Sequence, residues 1–173
     1  MAEPVVIVEH DPEWSGTFER LRGGIAEVVG DVARSIEHVG STAVPGLAAK
    51  PIIDLDVVVR GSRDVPEAIR RLATLGYRHE GDKGVPRREA FKSPSDEPRH
   101  HLYVVVDDSP AYRRHVWIRD YLRAHPNEAR AYGELKRRLA EAHRDDRAAY
   151  TAAKDEFTDR IYQRVARSSS KGG

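Results

Sequence analysis

The chain contains no cysteine. Disulfide staples, thiolate metal sites and a thiol nucleophile are therefore excluded together. Net charge is also missing: 29 Lys and Arg stand against 28 Asp and Glu, a formal balance of +1. A chain so balanced is no general polyanion binder, and no basic run is interleaved with aromatic residues, so nucleic acid is disfavoured as a partner. No apolar run approaches the length of a membrane span, which argues against a membrane partner. The opening residues, MAEPVVIVEHDPEW, show no basic segment followed by a long apolar stretch. The expected location is the cytoplasm.

The 173 residues can bury a core without staples. One domain over residues 1–167 is expected, with a sheet core over about 1–108, a helical part over about 109–167 and a disordered tail over 168–173. Val5 to Val8 is a short β-type run. Asp11-Pro12 then reads as a helix start, with Phe18, Leu21, Ile25, Val28 and Val29 at helical spacing up to Gly30. Arg34 to Val39 reads as a strand, and 40–51 as a loop rich in Gly, Pro and Ala. Ile52 to Val59, dense in β-branched residues, is the strongest strand signal. A helix over about 64–75 follows, closed by Gly76. Tyr77 to Glu80, Arg88 to Lys92 and His100 to Val106 are further strands. Beyond Asp108 the pattern turns helical in three pieces, opening at Pro110, near 127 and near 145. The fold class is α/β (α+β): a mixed sheet with flanking helices and a C-terminal helical segment.

Asp54 and Asp56 stand two apart on the strongest strand, so both side chains leave by one face. Carboxylates so close repel unless a cation or proton intervenes, and a hard divalent ion is the natural counter-charge. The bland alternative is a solvated acidic pair on an edge strand, which the continuous apolar run around it opposes. One loop earlier, Val39-Gly40-Ser41-Thr42 leaves a strand through a glycine turn. Such a turn presents free amides and hydroxyls to phosphate oxygens.

The stretch from Ile36 through Gly40-Ser41-Thr42 to Asp54-Leu55-Asp56 resembles the signature of the GrpB family, within the nucleotidyltransferase superfamily. The resemblance continues at Leu75-Gly76-Tyr77, at His100-His101-Leu102 and from Trp117 to Pro126. It ends with Tyr132, Leu135-Lys136, Tyr150 and Lys154, and so spans Val6 to about Ile161. It implies a polymerase-β-like core in which Gly40 and Ser41 take triphosphate phosphates and Asp54 and Asp56 hold Mg²⁺. Active members of the superfamily carry a third carboxylate on a later strand. On His100 to Val105 no carboxylate stands, and His101 occupies the position, where imidazole would favour Mn²⁺ or Zn²⁺ over Mg²⁺. Some members of the family are fused to a dephospho-CoA kinase domain.

Further residues divide between site and scaffold. Lys50 contacts phosphate or merely solvates its loop. Arg87 leads Arg88 and Lys92 as a phosphate ligand. Lys136, Tyr150 and Lys154 match family positions; Tyr150 and Lys154 share one helix face, as a stacking ring with an ammonium or as a packed ring with a solvated lysine. His38 either reaches the site or is a buried structural residue. The expected function is metal-dependent transfer of a nucleoside monophosphate from a nucleoside triphosphate to a small acceptor, with Asp54, Asp56 and His101 at the reacting centre. The alternatives are a non-catalytic nucleotide- or phosphometabolite-binding module and a metal-dependent phosphohydrolase.

Overall fold

A computed structural model of the chain describes residues 3–96 and 98–172. Five strands and five helices run in the order α1 (Glu13–Val29), β1 (Ala33–Val39), β2 (Ile53–Val59), α2 (Val65–Ala73), β3 (Arg78–Gly81), β4 (Arg88–Lys92), β5 (His100–Val106), α3 (Pro110–Ala124), α4 (Pro126–Ala142) and α5 (Arg147–Ser170). The expected class holds: one mixed sheet, ordered β1-β2-β5-β4-β3, with β2 and β5 parallel and the other neighbours antiparallel. The β-branched run of β2 thus lies inside the sheet and not at its edge.

Alternation along β2 divides the molecule. Ile53, Leu55, Val57 and Val59 pack with Leu102, Val104 and Val106 of β5 against Trp14, Phe18, Ile25 and Val29 of α1 and Ala68 and Leu72 of α2. Each such fully buried aliphatic side chain contributes about 1.5–3 kcal/mol. Asp54 and Asp56 point the other way, towards α3. On that side the three C-terminal helices build a separate core, with Leu122, Ala129, Tyr132 and Ile161 closing on Val44 and Leu47 of the 40–51 loop. The sheet's polar face and this helical unit enclose a cleft between them.

Local chemistry sets the boundaries. Pro110 and Pro126 open α3 and α4 where a missing N–H costs nothing. The Ser109 hydroxyl accepts from Tyr112 N at 3.2 Å, and the Asp146 carboxylate accepts from Ala149 N at 2.9 Å. Asp11 accepts from Glu13 N at 2.9 Å, which moves the start of α1 to Glu13, two residues beyond the expected one.

Other expectations change. Val5 to Val8 forms no strand, only a bridge between Val8 and Ala49. A 3₁₀ turn over Ser62–Asp64 shortens the helix expected at 64–75. The tail expected to be disordered is helical to Ser170. The hydroxyls of Ser168, Ser169 and Ser170 donate back to the carbonyls of Arg164, Val165 and Ala166 at 3.0–3.1 Å, which suits serine to a last helical turn. Among the described residues no helix is long and apolar enough to cross a membrane.

His38 belongs to the scaffold. Its ring stacks on Phe18 at 4.7 Å, and Nε2 lies 2.9 Å from Thr42 Oγ1. Burial pushes this imidazole down to about 4, against a smaller upward pull from the Asp54 charge. Below its ordinary value of 6.5 the unfolded chain takes up a proton that the folded chain refuses until about pH 4. Stability therefore falls as pH drops through that window and is regained as pH rises. Urea midpoints measured at pH 7 and pH 5 should drop less for His38→Gln than for the wild type. An equal drop in both would assign the acid sensitivity to other groups.

Candidate functional site

The cleft has a volume of about 440 Å³, within the usual range for a small-molecule site. The turn after β1 shapes one wall. Gly40 has φ +75°, and a Cβ there would collide with the Asp54 carboxylate. Glycine is required on both counts, for the left-handed backbone and for the close approach. Ser41 follows, and its hydroxyl accepts a 2.8 Å hydrogen bond from Lys136 Nζ on α4.

Asp54 and Asp56 share the cleft-side face of β2, as their spacing predicts. In the register, Asp54 lies opposite His101 and Asp56 opposite Tyr103 on β5. No carboxylate stands on β5; the register places an imidazole and a phenol beside the acidic pair. His101 Nδ1 lies 2.8 Å from Asp54 Oδ1. His100 points to the other face, where its Nε2 meets the Tyr77 hydroxyl at 2.8 Å. Asp56 is fully buried, with Oδ2 2.7 Å from Nδ1 of His115 on α3. Its Oδ1 is buried without any hydrogen-bond partner. Burial raises the Asp56 pKa, and His115 opposes the rise. For His115, burial is the largest influence and lowers its pKa, but the charge and hydrogen bond of Asp56, aided by Asp54, outweigh it and leave it raised. Both groups therefore stand above their ordinary values.

The orphaned Asp56 oxygen beside a second carboxylate fits a divalent cation, since oxygen ligands of this kind suit a hard ion. Among the described residues no group of three or more His, Asp or Glu closes round an ion. Two carboxylates would therefore supply part of a shell that substrate phosphates complete, while His101 and His115 hold the carboxylates in place.

Around the acidic pair the cleft is basic. Seven lining residues are Lys or Arg against Asp54 and Asp155, with Asp56 buried behind the wall, although the whole chain carries only +1. Lys136 is 2% exposed and has no carboxylate partner among the described residues. Its Nζ also lies 4.6 Å above the Tyr132 ring. Burial, with Lys154 and Lys50 nearby, pushes its pKa well below the ordinary lysine value. Lys50 lines the cleft with Nζ 5.1 Å from the centre of the Tyr150 ring, and burial lowers its pKa too. Lys154 lines the same wall beside Asp155 at 3.4 Å.

Two expectations are revised. Tyr150 is fully buried beneath Lys50, so it is a packed ring and not a stacking platform. What it offers is a buried hydroxyl without a hydrogen-bond partner. Arg87 stands outside the cleft: with φ +61° it turns its guanidinium to Asp108. Its neighbour Arg88, the first residue of β4, lines the cleft instead, two residues before Ala90, which pairs with Tyr103. Sequence reasoning missed His115 and Tyr103. For His115 a signal existed, since Ala111, His115, Ile118 and Leu122 form one helical stripe.

Lys136 makes a test of this wall. Lys136→Met removes a buried, unpaired cation and should raise the stability of the ligand-free protein by ~1–2 kcal/mol, while weakening phosphate binding. Thermal melts with and without inorganic phosphate check both signs. A lower midpoint without phosphate would mean that the fold already neutralises this ammonium.

Comparison with known proteins places the chain. The family profile described as GrpB protein matches residues 4–164. The glutamate-rich protein GrpB of Alkalihalophilus pseudofirmus is 33% identical over 162 residues, covering 91% of this chain and 93% of that protein. The UPF0157 protein YqkA of Bacillus subtilis is 36% identical over 153 residues, covering 88% of this chain but 45% of that one. The chain thus spans less than half the length of this second relative. Mycolicibacterium paratuberculosis dephospho-CoA kinase is 26% identical over 187 residues, covering 94% of this chain and 46% of the kinase. Among solved structures, GrpB from Enterococcus faecalis superposes with a TM-score of 0.80 at 31% identity, covering 92% of this chain and 99% of that one. Cid1 in complex with the UTP analogue UMPNPP superposes with a TM-score of 0.53 at 13% identity, covering 85% and 48%. That likeness concerns the fold, which is the nucleotidyltransferase fold. With the Gly-Ser turn and the Asp-x-Asp strand in place along a match of nearly its whole length, the chain belongs to the GrpB family.

Proposed function

We propose that the chain is a divalent-metal-dependent nucleotidyltransferase acting on a nucleoside triphosphate and a small acceptor. The observation that carries this reading is one juxtaposition. Two carboxylates share a face beside the Gly40-Ser41 turn, and a buried lysine without a carboxylate partner holds that turn's hydroxyl. Mg²⁺ or Mn²⁺, with Zn²⁺ as a further candidate, would neutralise charge on the phosphates and the reacting oxygens when bound.

The chain's own residues do the rest. Asp54 and Asp56 hold the ion. The Gly40-Ser41 turn, Lys136, Lys50 and Lys154 hold the β- and γ-phosphates, and the Tyr150 hydroxyl donates to the same group. An acceptor hydroxyl oxygen bonds to the α-phosphorus, the bond from that phosphorus to the β-phosphate oxygen breaks, pyrophosphate leaves and the hydroxyl proton is released. His101 keeps Asp54 oriented throughout, and His115 does so for Asp56.

A second reading rests on β5, where His101 and Tyr103 stand in place of a third carboxylate: the fold binds a nucleotide or phosphometabolite without turnover. Thermal melts with each nucleoside triphosphate, with and without Mg²⁺ or Mn²⁺, test binding, since a ligand at about 100 times its Kd adds ~2.7 kcal/mol. Pyrophosphate release tests transfer. A metal-dependent shift with no release favours the binding module, and release of nucleoside monophosphate without an acceptor favours a phosphohydrolase. No shift with any triphosphate would remove the nucleotide reading.

Asp54→Asn should abolish the metal-dependent part of the shift while the variant stays folded, because it relieves the repulsion with Asp56 and leaves the buried His115–Asp56 bond in place. Calorimetric titration should give Mn²⁺ or Zn²⁺ the preference over Mg²⁺ in the wild type, and His101→Asp should move preference towards Mg²⁺. Equal affinities in both proteins would confine His101 to holding Asp54.

A further inference from the structure

One cleft residue has no part in the reading above. Arg88 lies on β4, on the far side of the carboxylate pair from the Gly40-Ser41 turn. Register puts it on the cleft face: Asp56 pairs with Tyr103, Tyr103 with Ala90, and Arg88 stands two residues before Ala90. Its guanidinium carbon sits 4.5 Å from the centre of the Tyr103 ring.

Arg114 and Arg119, which also line the cleft, are already engaged. Arg114 meets Asp159 at 2.6 Å and Thr158 at 3.1 Å. Arg119 meets Glu37 at 2.8 Å and Asp120 at 2.9 Å. Arg88 has no carboxylate partner among the described residues, and its Nε is buried with no acceptor. Asp56 Oδ1, likewise orphaned, does not reach it. Stacking on Tyr103 holds the fork in place and leaves its N–H groups unspent. A planar fork fixed on an aromatic face and lacking an acceptor is suited to a carboxylate or phosphate group.

The cleft therefore has two anion-binding poles. One is the lysine wall at Ser41; the other is Arg88. The carboxylates that would hold the ion beside the reacting phosphorus lie between them. A triphosphate seated on the lysine wall places its leaving group there and leaves Arg88 on the side from which the acceptor comes. We infer that Arg88, backed by Tyr103, forms an acceptor subsite for an anion, so that the acceptor is a hydroxyl compound bearing a phosphate or carboxylate group. This rests on the transferase reading. The acceptor's anionic group is unchanged by the reaction; only its hydroxyl oxygen gains the bond to phosphorus.

The test uses the full chain labelled with ¹⁵N and follows the Arg88 Nε–H signal during titration with inorganic phosphate, with acetate, and with glycerol as the neutral control. Phosphate or acetate should move the signal and glycerol should not; the tighter of the two identifies the group on the acceptor. Arg88→Gln should lose this site while phosphate binding at Lys136 stays within about twofold. Arg88→Lys, which keeps the charge but not the fork, should bind about tenfold more weakly. A repeat with a saturating non-hydrolysable nucleoside triphosphate and Mg²⁺ should leave the Arg88 site open. An Arg88 signal unmoved by either anion overturns the proposal, as does its displacement by the nucleotide, which would make Arg88 part of the donor site. Failure of the transferase reading shows separately, as absence of nucleotide binding at the lysine wall, because the first titration contains neither metal nor nucleotide.

Discussion

Two carboxylates spaced two apart on an interior strand must each find a counter-charge, and much of the molecule is arranged around that demand. Asp54 takes His101 from the neighbouring strand and needs a glycine beside it, since any side chain at position 40 would strike it. Asp56, wholly buried, takes His115 from α3. That second bond spans 59 residues of chain and ties the helical unit to the sheet. Breaking it by losing one partner would leave a buried charge exposed to a penalty of ~3–5 kcal/mol. Together with the bonds from Arg119 to Glu37 and to the His38 carbonyl and from Arg123 to the Ala43 carbonyl, this contact sets the orientation of α3 against the sheet.

The electrostatics of the cleft follow from the same pair. Two carboxylates alone would repel a triphosphate. Lys136, Lys50, Lys154 and Arg88 reverse the local sign, while the whole chain stays near neutrality because its remaining charges lie on solvated helix faces. Lys136 is the costliest of these, being buried with only a hydroxyl and a ring as partners. A fold that retains such a group sacrifices stability for an anion it has yet to meet.

Legibility in the sequence tracked how local each signal was. The β-branched run at Ile53 to Val59 announced β2, and its alternation placed Asp54 and Asp56 on one face without any knowledge of the partners. The glycine turn before Ser41 was equally local. Lys136 and Lys154 came from family positions, because nothing in a helical lysine distinguishes a cleft from solvent. Arg87 and Arg88 differ by one residue; the strand start at Arg88 was legible, but the left-handed backbone that turns Arg87 away from the cleft was not. His115 was hidden for the opposite reason: its partner is far away in sequence, and a histidine in an apolar helical stripe reads first as core. The serines at 168–170 looked like a disordered tail because composition does not reveal the hydroxyl-to-carbonyl bonds that complete the helix.

The division of labour between the two halves has a mechanical consequence. The sheet supplies Asp54, Asp56, His101 and Arg88, whereas Lys136, Tyr150 and Lys154 all come from α4 and α5. Every proposed phosphate contact beyond the Gly40-Ser41 turn and Lys50 therefore belongs to the helical unit, and the acidic pair belongs to the sheet. The Lys136–Ser41, His115–Asp56 and Arg119–Glu37 bonds are polar ties across that boundary, and packing of Val44 and Leu47 against the three helices is the apolar one. A bound polyphosphate would add contacts to both halves at once, so it would stiffen the boundary as well as occupy the cleft. Its stabilising effect would then be concentrated on the contacts between the sheet and α3–α5, and the sheet's packing on α1 and α2, which shares no residue with the cleft except Ala49, would gain little.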